Sequence, residues 1–258
     1  LQLVLAYYPT DLERLIRDKS VPFSLADIKA WMLMVLRGTA FLHQHGVIHR
    51  DMKPNNLLIG EDNIVRLGDF GLARSVPGHP SSEAPMTSQV VTRWYRAPEL
   101  LLGARYYGPA VDVWAVGCIM AELLLRTPFL PGDTDINQLT LTFRALGTPT
   151  DAEWPGMKKL PDYVPFPRFP RPVLSTIFTA APPDALDLLS RMLCFDPLQR
   201  ITAIDALRHP YFRSEPAPTP VEMLPRVRDA SQAASSSVPS SVTSTFTGDL
   251  EPRKLVFK

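Results

Sequence analysis

The sequence predicts a mainly α-helical fold with a few short β-hairpins. Apolar side chains recur at helical spacing in several segments, and the longest of these segments begins at Ser24. Two short apolar runs, Leu57–Ile59 and Val65–Leu67, are separated by turn residues at 60–63, which is typical of a hairpin. The proportion of helical to hairpin segments therefore indicates a helical domain that carries small strand pairs.

The N-terminal part of the chain is predicted to form a strand followed by a helix. Residues 1–8 are an apolar run that is too short to span a membrane and is typical of a strand. Ser24 and Asp27 then have the spacing of a capping box, and apolar residues recur at helical spacing until Gly46. This pattern predicts one long amphipathic helix, on which we expect Lys29 to lie on the solvated face.

Helices are also predicted in the second half of the chain. Helical patterns occur at 98–102, 112–125, 134–146, 183–194 and 202–208. The segment at 112–125 is apolar on all faces but only about 14 residues long, so we expect a buried helix and not a membrane span. Segments 72–90 and 149–173 are rich in proline without periodicity, which predicts long irregular connections.

Composition limits the class of protein. The 258 residues include 27 Lys and Arg against 26 Asp and Glu, a net charge of +1 that excludes a polycationic nucleic-acid binder. Two cysteines, Cys118 and Cys194, cannot form a disulfide framework, which indicates a reducing compartment. Residues 230–248 carry no charged side chain and ten Ser or Thr. The composition predicts a domain at 1–213 and a disordered tail at 214–258.

Candidate catalytic residues lie between the long helix and the hairpin. Asp51, Lys53 and Asn56 place a carboxylate, an ammonium and an amide within six residues. A carboxylate can accept a hydroxyl proton, an ammonium can neutralise phosphate charge, and an amide oxygen can bind a hard cation. Taken alone, this stretch is more typical of a polar surface loop.

A second carboxylate after the hairpin changes that interpretation. Asp69 begins an Asp-Phe-Gly motif thirteen positions after Asn56, where it can supply a second oxygen ligand for a Mg²⁺-phosphate site. Thirty residues after Asp69 comes Ala97-Pro98-Glu99. The three motifs occur in the order and at the spacing of protein kinases.

Residues 1–213 therefore resemble the hinge and C-terminal lobe of a eukaryotic Ser/Thr protein kinase. The sequence contains no Gly-x-Gly and no Val-Ala-x-Lys, so the resemblance implies that the N-terminal lobe is missing. The segments that carry the finer resemblance are 91–99 and 112–118 for the cyclin-dependent branch, and 131–135, 146–150, 154–155 and 160–164 for the CDK-activating kinases that serve TFIIH. A mitogen-activated kinase would have Thr-x-Tyr where this chain has Met86-Thr87-Ser88.

The resemblance implies a role for each motif residue. Asp51 is the catalytic base, Lys53 contacts the transferred phosphate, and Asn56 and Asp69 hold Mg²⁺. The remaining contacts are to ATP, from the hinge residues Ala6 and Tyr8, from Asp11 near the ribose and from Leu58 beneath the adenine.

Regulatory and structural residues follow from the same resemblance. Thr87 is the expected activation-loop phosphosite, with Arg50 and Arg74 binding its phosphate. The other assignments are Val91, Thr92 and Arg96 for a pocket that prefers proline after the phosphoacceptor, Glu99 with Arg200 for a buried ion pair, and Asp112 beneath the catalytic loop.

Two functions remain open on the sequence. The first is a nuclear CDK-activating kinase that uses ATP and Mg²⁺, acts on other cyclin-dependent kinases and on the repeat tail of RNA polymerase II, and assembles with a cyclin and an assembly factor. It would bind no nucleic acid directly and no membrane. The second is a catalytically inactive binding module that competes for substrates or partners. Retention of Asp51, Lys53, Asn56 and Asp69 favours the first, although the chain by itself is expected to lack transfer activity.

Overall fold

The computed structural model describes residues 4–76 and 93–226. The helices in these ranges are α1 (Leu12–Arg17), α2 (Leu25–Gln44), α3 (Pro98–Leu101), α4 (Ala110–Leu125), α5 (Asp135–Leu146), α6 (Leu174–Ile177), α7 (Pro183–Met192) and α8 (Ala203–Leu207). The strands are β1 (Thr10–Asp11), β2 (Val47–Ile48), β3 (Leu57–Ile59), β4 (Val65–Leu67) and β5 (Arg74–Ser75). Within the same ranges, no helix is both long and apolar enough to cross a membrane.

Helix α4 lies at the centre of the core. Every residue from Val111 to Leu123 is buried, and helices α2 and α7 pack against it. A helix that is apolar on all sides has to be surrounded by protein to be stable in water. The buried helix predicted from 112–125 is therefore confirmed, with two further residues at its N-terminus.

Helix α2 is the long helix that the capping pattern predicts. Ser24 Oγ accepts a hydrogen bond from the Asp27 N–H, and Asp27 Oδ2 accepts one from the Ser24 N–H at 2.6 Å. The helix ends at Gln44, and Gly46 then adopts a positive φ of 70° that suits glycine. Helix α2 contacts α4, α8 and β4, so it joins the helical core to the hairpin.

Two small antiparallel sheets flank the candidate catalytic loop. The first has the order β1-β3-β4, with Asp11 opposite Leu58 and Leu58 opposite Arg66. The second pairs β2 with β5 and places Ile48 opposite Arg74. Strand β5 corrects the expectation of an irregular chain from residue 72, while residues 77–90 of that predicted loop lie outside the described residues.

The strand predicted over residues 1–8 is wrong for the part that the structure describes. Residues 4–8 form no strand, and Val4 is 98% exposed. Strand β1 begins only at Thr10, where the chain meets β3. A strand needs a neighbour for its backbone hydrogen bonds, and no described strand pairs with residues 4–8.

Lys29 is buried, which corrects its expected position on the solvated face of α2. Its side chain is 1% exposed, and Nζ donates hydrogen bonds to the carbonyls of Ser214 and Pro216, both at 2.8 Å. The ammonium also lies 4.7 Å from the centre of the Tyr211 ring. The polar partners of Lys29 are therefore two backbone carbonyls and, at 3.3 Å, the Ser214 hydroxyl, all from a distant part of the chain.

Residues 214–224, which we call the C-terminal strap, pack against the helical core. The Thr219 N–H donates to the carbonyl of Ala26, and Asn63 Nδ2 donates to the carbonyls of Val221 and Leu224. The Leu224 side chain is buried. The strap shows that the ordered domain extends beyond residue 213, which corrects the expected boundary, while residues 227–258 lie outside the described residues.

Candidate active site

The loop between β2 and β3 carries the candidate catalytic residues, and Asp112 of α4 anchors it. Asp112 Oδ2 accepts hydrogen bonds from the His49 N–H at 2.8 Å and from His43 Nε2 at 2.9 Å. Asp112 Oδ1 accepts one from the Arg50 N–H at 2.8 Å. Because Arg50 has a positive φ of 68°, an unfavourable backbone for an arginine, the turn depends on this anchor.

Asp51 lies at the centre of the loop with one carboxylate oxygen fixed. Its Oδ2 is 2.9 Å from Lys53 Nζ and accepts a hydrogen bond from Asn56 Nδ2 at 2.9 Å. Asn56 Nδ2 also donates to the carbonyl of Asp51 at 2.8 Å. Among the described residues, no group donates to Asp51 Oδ1. The structure thus brings Asp51, Lys53 and Asn56 together around Asp51 Oδ2.

His49 connects this loop to the segment that carries Asp69. Its Nε2 is 2.9 Å from the carbonyl of Gly68, and its Nδ1 accepts from the Asp51 N–H at 3.3 Å. A carbonyl only accepts and an amide N–H only donates, so these two contacts fit the His49 tautomer that carries its proton on Nε2. This role of His49 was not expected from the sequence, although His49 stands in the same motif as Asp51.

Asn56 and Asp69 lie on neighbouring strand ends. The Gly68 N–H donates to the carbonyl of Asn56 at 2.8 Å, and Asp69, at φ 57°, is exposed. Both protons of one amide nitrogen serve Asp51, so the Asn56 amide presents its oxygen to other ligands. Among the described residues, no group of three or more His, Cys, Asp or Glu side chains could hold a metal ion. A cation bound by Asn56 and Asp69 would therefore take two oxygens from the protein and the rest from its substrate or water.

Gly68 packs closely against the Leu58 side chain. A Cβ at Gly68 would lie 2.6 Å from Leu58 Cδ1, which is closer than carbon atoms approach. Leu58 in turn pairs with Asp11, whose Oδ1 accepts from the Arg14 N–H and caps α1. The structure thus places Leu58 and Asp11 side by side.

The expected hinge residues, Ala6 and Tyr8, lie in a segment without regular secondary structure. Ala6 is exposed, and the Tyr8 ring lies 5.5 Å from the Arg66 guanidinium on β4. Both lie in the segment before β1 that pairs with no described strand. The structure therefore places them close in sequence to Asp11 but not in a strand.

Glu99 and Arg200 form a buried ion pair. Arg200 Nη1 and Nη2 donate to Glu99 Oε1 and Oε2 at 2.7 and 3.0 Å, a two-point contact, and both side chains are buried. The same guanidinium donates to the carbonyl of Ala110 at 2.8 Å and lies 5.0 Å from the Trp114 ring. The pair therefore ties α3 to α4 and to the segment after α7.

Arg50 and Arg74 lie at one edge of the second sheet. Arg50 Nε donates to the carbonyl of Leu72 at 2.6 Å, and its Nη1 donates to the Tyr107 hydroxyl at 2.8 Å. Arg74 is exposed and stands opposite Ile48, two residues before Arg50. Thr87, whose phosphate they were expected to bind, lies outside the described residues.

Arg96 is the described member of the expected substrate pocket, since Val91 and Thr92 lie outside the described residues. Burial lowers the pKa of Arg96, whereas the negative charges of Asp135 and Asp51 raise it. Arg96 therefore lies within electrostatic reach of the candidate base.

The sequence and the fold of this chain match those of known proteins. The family model described as "Protein kinase domain" matches residues 1–212. The chain belongs to the protein kinase family. Kinases of the cyclin-dependent Ser/Thr type are its relatives: "Cyclin-dependent kinase 7" of Xenopus laevis is 55% identical over 226 residues, which is 88% of this chain and 63% of the relative.

Two further kinases show the same relationship. The "Probable serine/threonine-protein kinase KIN28 homolog" of Encephalitozoon cuniculi is 52% identical over 223 residues, or 86% of this chain and 70% of that protein. A solved CAK complex from Chaetomium thermophilum bound to ATP-γ-S is similar with a TM-score of 0.81 and 48% identity, covering 86% of this chain and 70% of that one. This kinase chain is thus similar to CDK-activating kinases and spans about two thirds of their length.

A further buried acid of this kinase, Glu122 of α4, was not predicted from the sequence. The Tyr95 hydroxyl donates to Glu122 Oε2 at 2.6 Å. Burial raises the pKa of the Glu122 carboxyl, since a single hydroxyl offsets little of the loss of water, and burial likewise raises the pKa of Tyr95. The only sequence signal was the presence of an acid in the apolar helix 112–125.

Proposed function

We propose that this chain carries the catalytic lobe of a CDK-activating Ser/Thr kinase. The reaction is transfer of the γ-phosphate of ATP to Ser or Thr hydroxyls of other cyclin-dependent kinases and of the RNA polymerase II repeat tail. The observation that supports this most is the arrangement of Asp51, with Oδ2 fixed by Lys53 and Asn56 and Oδ1 left for a substrate. The similarity to CDK-activating kinases supports the substrate class.

Asp51 acts as the general base in this proposal. Because Lys53 and Asn56 hold Oδ2, the carboxylate cannot rotate freely, and Oδ1 points its lone pairs in a fixed direction. A substrate hydroxyl bound there donates its hydrogen bond to Oδ1 and is oriented for attack on phosphorus. Lys53 Nζ, already beside Asp51, can follow the negative charge of the moving phosphoryl group.

Asn56 and Asp69 are the residues that would hold Mg²⁺. Their amide and carboxylate oxygens match the preference of this ion, which neutralises β- and γ-phosphate charge when bound. In the same proposal Leu58 lies beneath the adenine, Asp11 lies near the ribose, and the backbone of Ala6 and Tyr8 meets the base. Transfer also requires a phosphate-covering loop and an ATP-aligning lysine. Residues 1–258 contain neither the Gly-x-Gly nor the Val-Ala-x-Lys motif that would supply them.

The cellular setting follows from the similarity to CDK-activating kinases. We propose a cyclin and an assembly factor as partners and the nucleus as the compartment, with no direct contact to nucleic acid or membrane. We propose Thr87 as the activation-loop phosphosite and Arg50 and Arg74 as the guanidinium groups that would bind its phosphate. The pairing of Ile48 with Arg74 supports this, because it places Arg74 opposite the strand that leads into Arg50.

Exchange of Asp51 for asparagine tests this function. We expect Asp51→Asn, in the full product of the gene assembled with a cyclin, to lower the rate of phosphate transfer by about 10²- to 10⁴-fold, since an amide cannot take the proton. Nucleotide affinity should stay near wild type. Asp151→Asn removes an exposed carboxylate paired with Lys158 and should leave both measurements unchanged.

The same experiment separates the two functions that the sequence left open. A wild-type product that binds its partners but transfers no phosphate would support the inactive binding module. An Asp51→Asn variant that works at the wild-type rate would show that Asp51 is not the base.

A further inference from the structure

Arg66 of β4 lies in one row with two residues of the proposed nucleotide site. Strand β3 places Leu58 opposite Asp11 on one side and opposite Arg66 on the other. Side chains of residues that stand directly opposite each other on antiparallel strands project from the same face of a sheet. The row of Asp11 and Leu58, which we propose beside the ribose and the adenine, therefore continues to Arg66.

The turn between β3 and β4 orients the Arg66 guanidinium. Its Nη1 and Nη2 donate to Asp62 Oδ1 and Oδ2 at 2.9 and 2.5 Å, a two-point contact that fixes the plane of the group. Asp62 Oδ1 also accepts from the Ile64 N–H at 3.1 Å. A Cβ at Gly60 would lie 2.5 Å from Asp62 Oδ1 and 2.9 Å from Arg66 Nη1. Glycine at this position therefore leaves room for the ion pair.

The Arg66 guanidinium faces the ring of Tyr8 in the expected hinge. Its central carbon lies 5.5 Å from the centre of the ring, within the distance of about 6 Å at which a cation is attracted to an aromatic face. Among residues 4–8, Tyr8 alone is partly buried, whereas Val4 and Tyr7 are 98% and 87% exposed. Arg66 therefore contacts this segment at its one partly buried residue.

We propose that Arg66 is a positioning residue for ATP. Its guanidinium, oriented by Asp62, holds the Tyr8 ring and thereby keeps the hinge backbone of residues 6–8 in place to meet the adenine. A segment that is already held loses less conformational entropy when the nucleotide binds, so the affinity is higher. Arg66 is not among the residues proposed to contact phosphate or the acceptor hydroxyl, so it acts on nucleotide binding and not on the transfer step. This inference rests on the proposed kinase function.

Nucleotide binding and steady-state kinetics of the full gene product with its cyclin test this role. We expect Arg66→Leu to raise both the calorimetric Kd and the KM for ATP about 2- to 5-fold, because a cation–π contact at a partly exposed site is of modest strength. The kcat and the KM for a Ser-Pro peptide should stay at their wild-type values. A merely structural loss at the turn would instead lower the amount of folded enzyme and leave the KM for ATP unchanged.

Further variants assign the effect to the contact between Arg66 and Tyr8. Tyr8→Leu should raise the Kd for ATP by a similar factor, and the double variant should bind ATP no more weakly than the weaker of the two single variants, because the same contact is lost. Gly60→Ala keeps Arg66 but places a methyl group against the ion pair, so it should also weaken ATP binding. Arg144→Leu is the matched control, because Arg144 is an exposed arginine 5.4 Å from the Phe169 ring, and it should leave the Kd at the wild-type value.

The outcomes separate this inference from the function on which it rests. A wild-type product that binds no ATP would contradict the proposed function itself. ATP binding that Arg66→Leu leaves unchanged, or losses of the two single variants that multiply in the double variant, would overturn the positioning role alone. A lower kcat with an unchanged KM for ATP would also overturn it, since the arginine would then act on transfer. A rise in the Kd for ATP that Arg66→Leu and Tyr8→Leu share without adding supports the role.

Discussion

Two irregular segments of this kinase are fixed by buried charges of opposite sign. The catalytic loop is held by Asp112, whose carboxylate accepts from two backbone N–H groups of the loop. The C-terminal strap is held by Lys29, whose ammonium donates to two backbone carbonyls of the strap. Both side chains are 1% exposed and project from long helices. Backbone N–H and carbonyl groups that have no partner in a helix or sheet need another hydrogen-bond partner, and in these two segments a buried charged side chain supplies it.

Asp112 and Lys29 differ in how well their buried charges are compensated and in the segment that each one holds. Asp112 receives a third hydrogen bond from His43, so its charge is well solvated by donors. Burial lowers the pKa of Lys29, and the more distant charges of Asp184 and Glu215 only partly oppose this. The loop that Asp112 holds carries the proposed chemistry, whereas the strap that Lys29 holds carries none of the site residues. Loss of Asp112 should therefore damage activity and stability, and loss of Lys29 should damage stability alone.

The largest expected effect on stability is that of Asp112→Ala. The substitution leaves two backbone N–H groups and the His43 ring without their buried acceptor, so we expect the free energy of unfolding to fall by about 3 to 5 kcal/mol. Urea denaturation followed by fluorescence measures this loss. Asp151→Ala, at an exposed ion pair, is the control and should change the free energy by less than about 1 kcal/mol. Equal losses in the two variants would contradict the role of Asp112 as anchor.

Lys29→Met should have a smaller effect, confined to the strap. Methionine can fill much of the space of the lysine stem but cannot donate to the Ser214 and Pro216 carbonyls, so we expect a loss of about 1 to 3 kcal/mol. Amide hydrogen exchange at Thr219 should accelerate. Lys158→Met removes an exposed lysine and should leave that exchange rate unchanged. Wild-type exchange at Thr219 in Lys29→Met would mean that apolar contacts such as Leu224 hold the strap without the ammonium.

The smallest expected effect on stability is that of Glu122. This buried acid accepts a hydrogen bond from one hydroxyl, whereas Asp112 accepts from three donors. The folded state raises the pKa of Glu122, so above pH 4.5 the folded chain holds this proton more tightly than the unfolded chain, and stability falls as pH rises through the folded pKa. Glu122→Gln keeps an acceptor for Tyr95 and has no such proton. We expect its stability relative to wild type to increase from pH 4.5 towards neutral pH, as measured by denaturation at several pH values. A stability difference that is independent of pH would contradict this account.

The sequence was sufficient where the signal lies in side chains close together along the chain. The capping box of Ser24 and Asp27 located the start of α2, and the turn at 60–63 located both hairpin strands at their observed bounds. The short spacing of Asp51 and Asn56 likewise placed them in one loop. In each case the partners are a few residues apart, so the pattern contains the whole interaction.

The predictions from the sequence failed where the interaction partner of a residue is far away along the chain or is a backbone group. The acceptors of Lys29 lie 185 and 187 residues away, and two of the three are carbonyls, which have no residue type by which a pattern could identify them. Residues 4–8 have the composition of a strand, but pairing depends on a neighbour, which composition does not specify. The short helices α1 and α6 have too few turns for a periodicity to be visible.

The most direct test of the account is the rate of phosphate transfer per folded molecule in Asp112→Asn and Lys29→Met. It uses the full gene product with its cyclin, at a temperature where both variants are mostly folded. We predict that Asp112→Asn loses at least about 10²-fold, because the loop that positions Asp51 is displaced, while Lys29→Met stays within about twofold of wild type. A wild-type rate in Asp112→Asn, or an equal loss in Lys29→Met, would contradict the claim that Asp112 holds the loop in which transfer takes place.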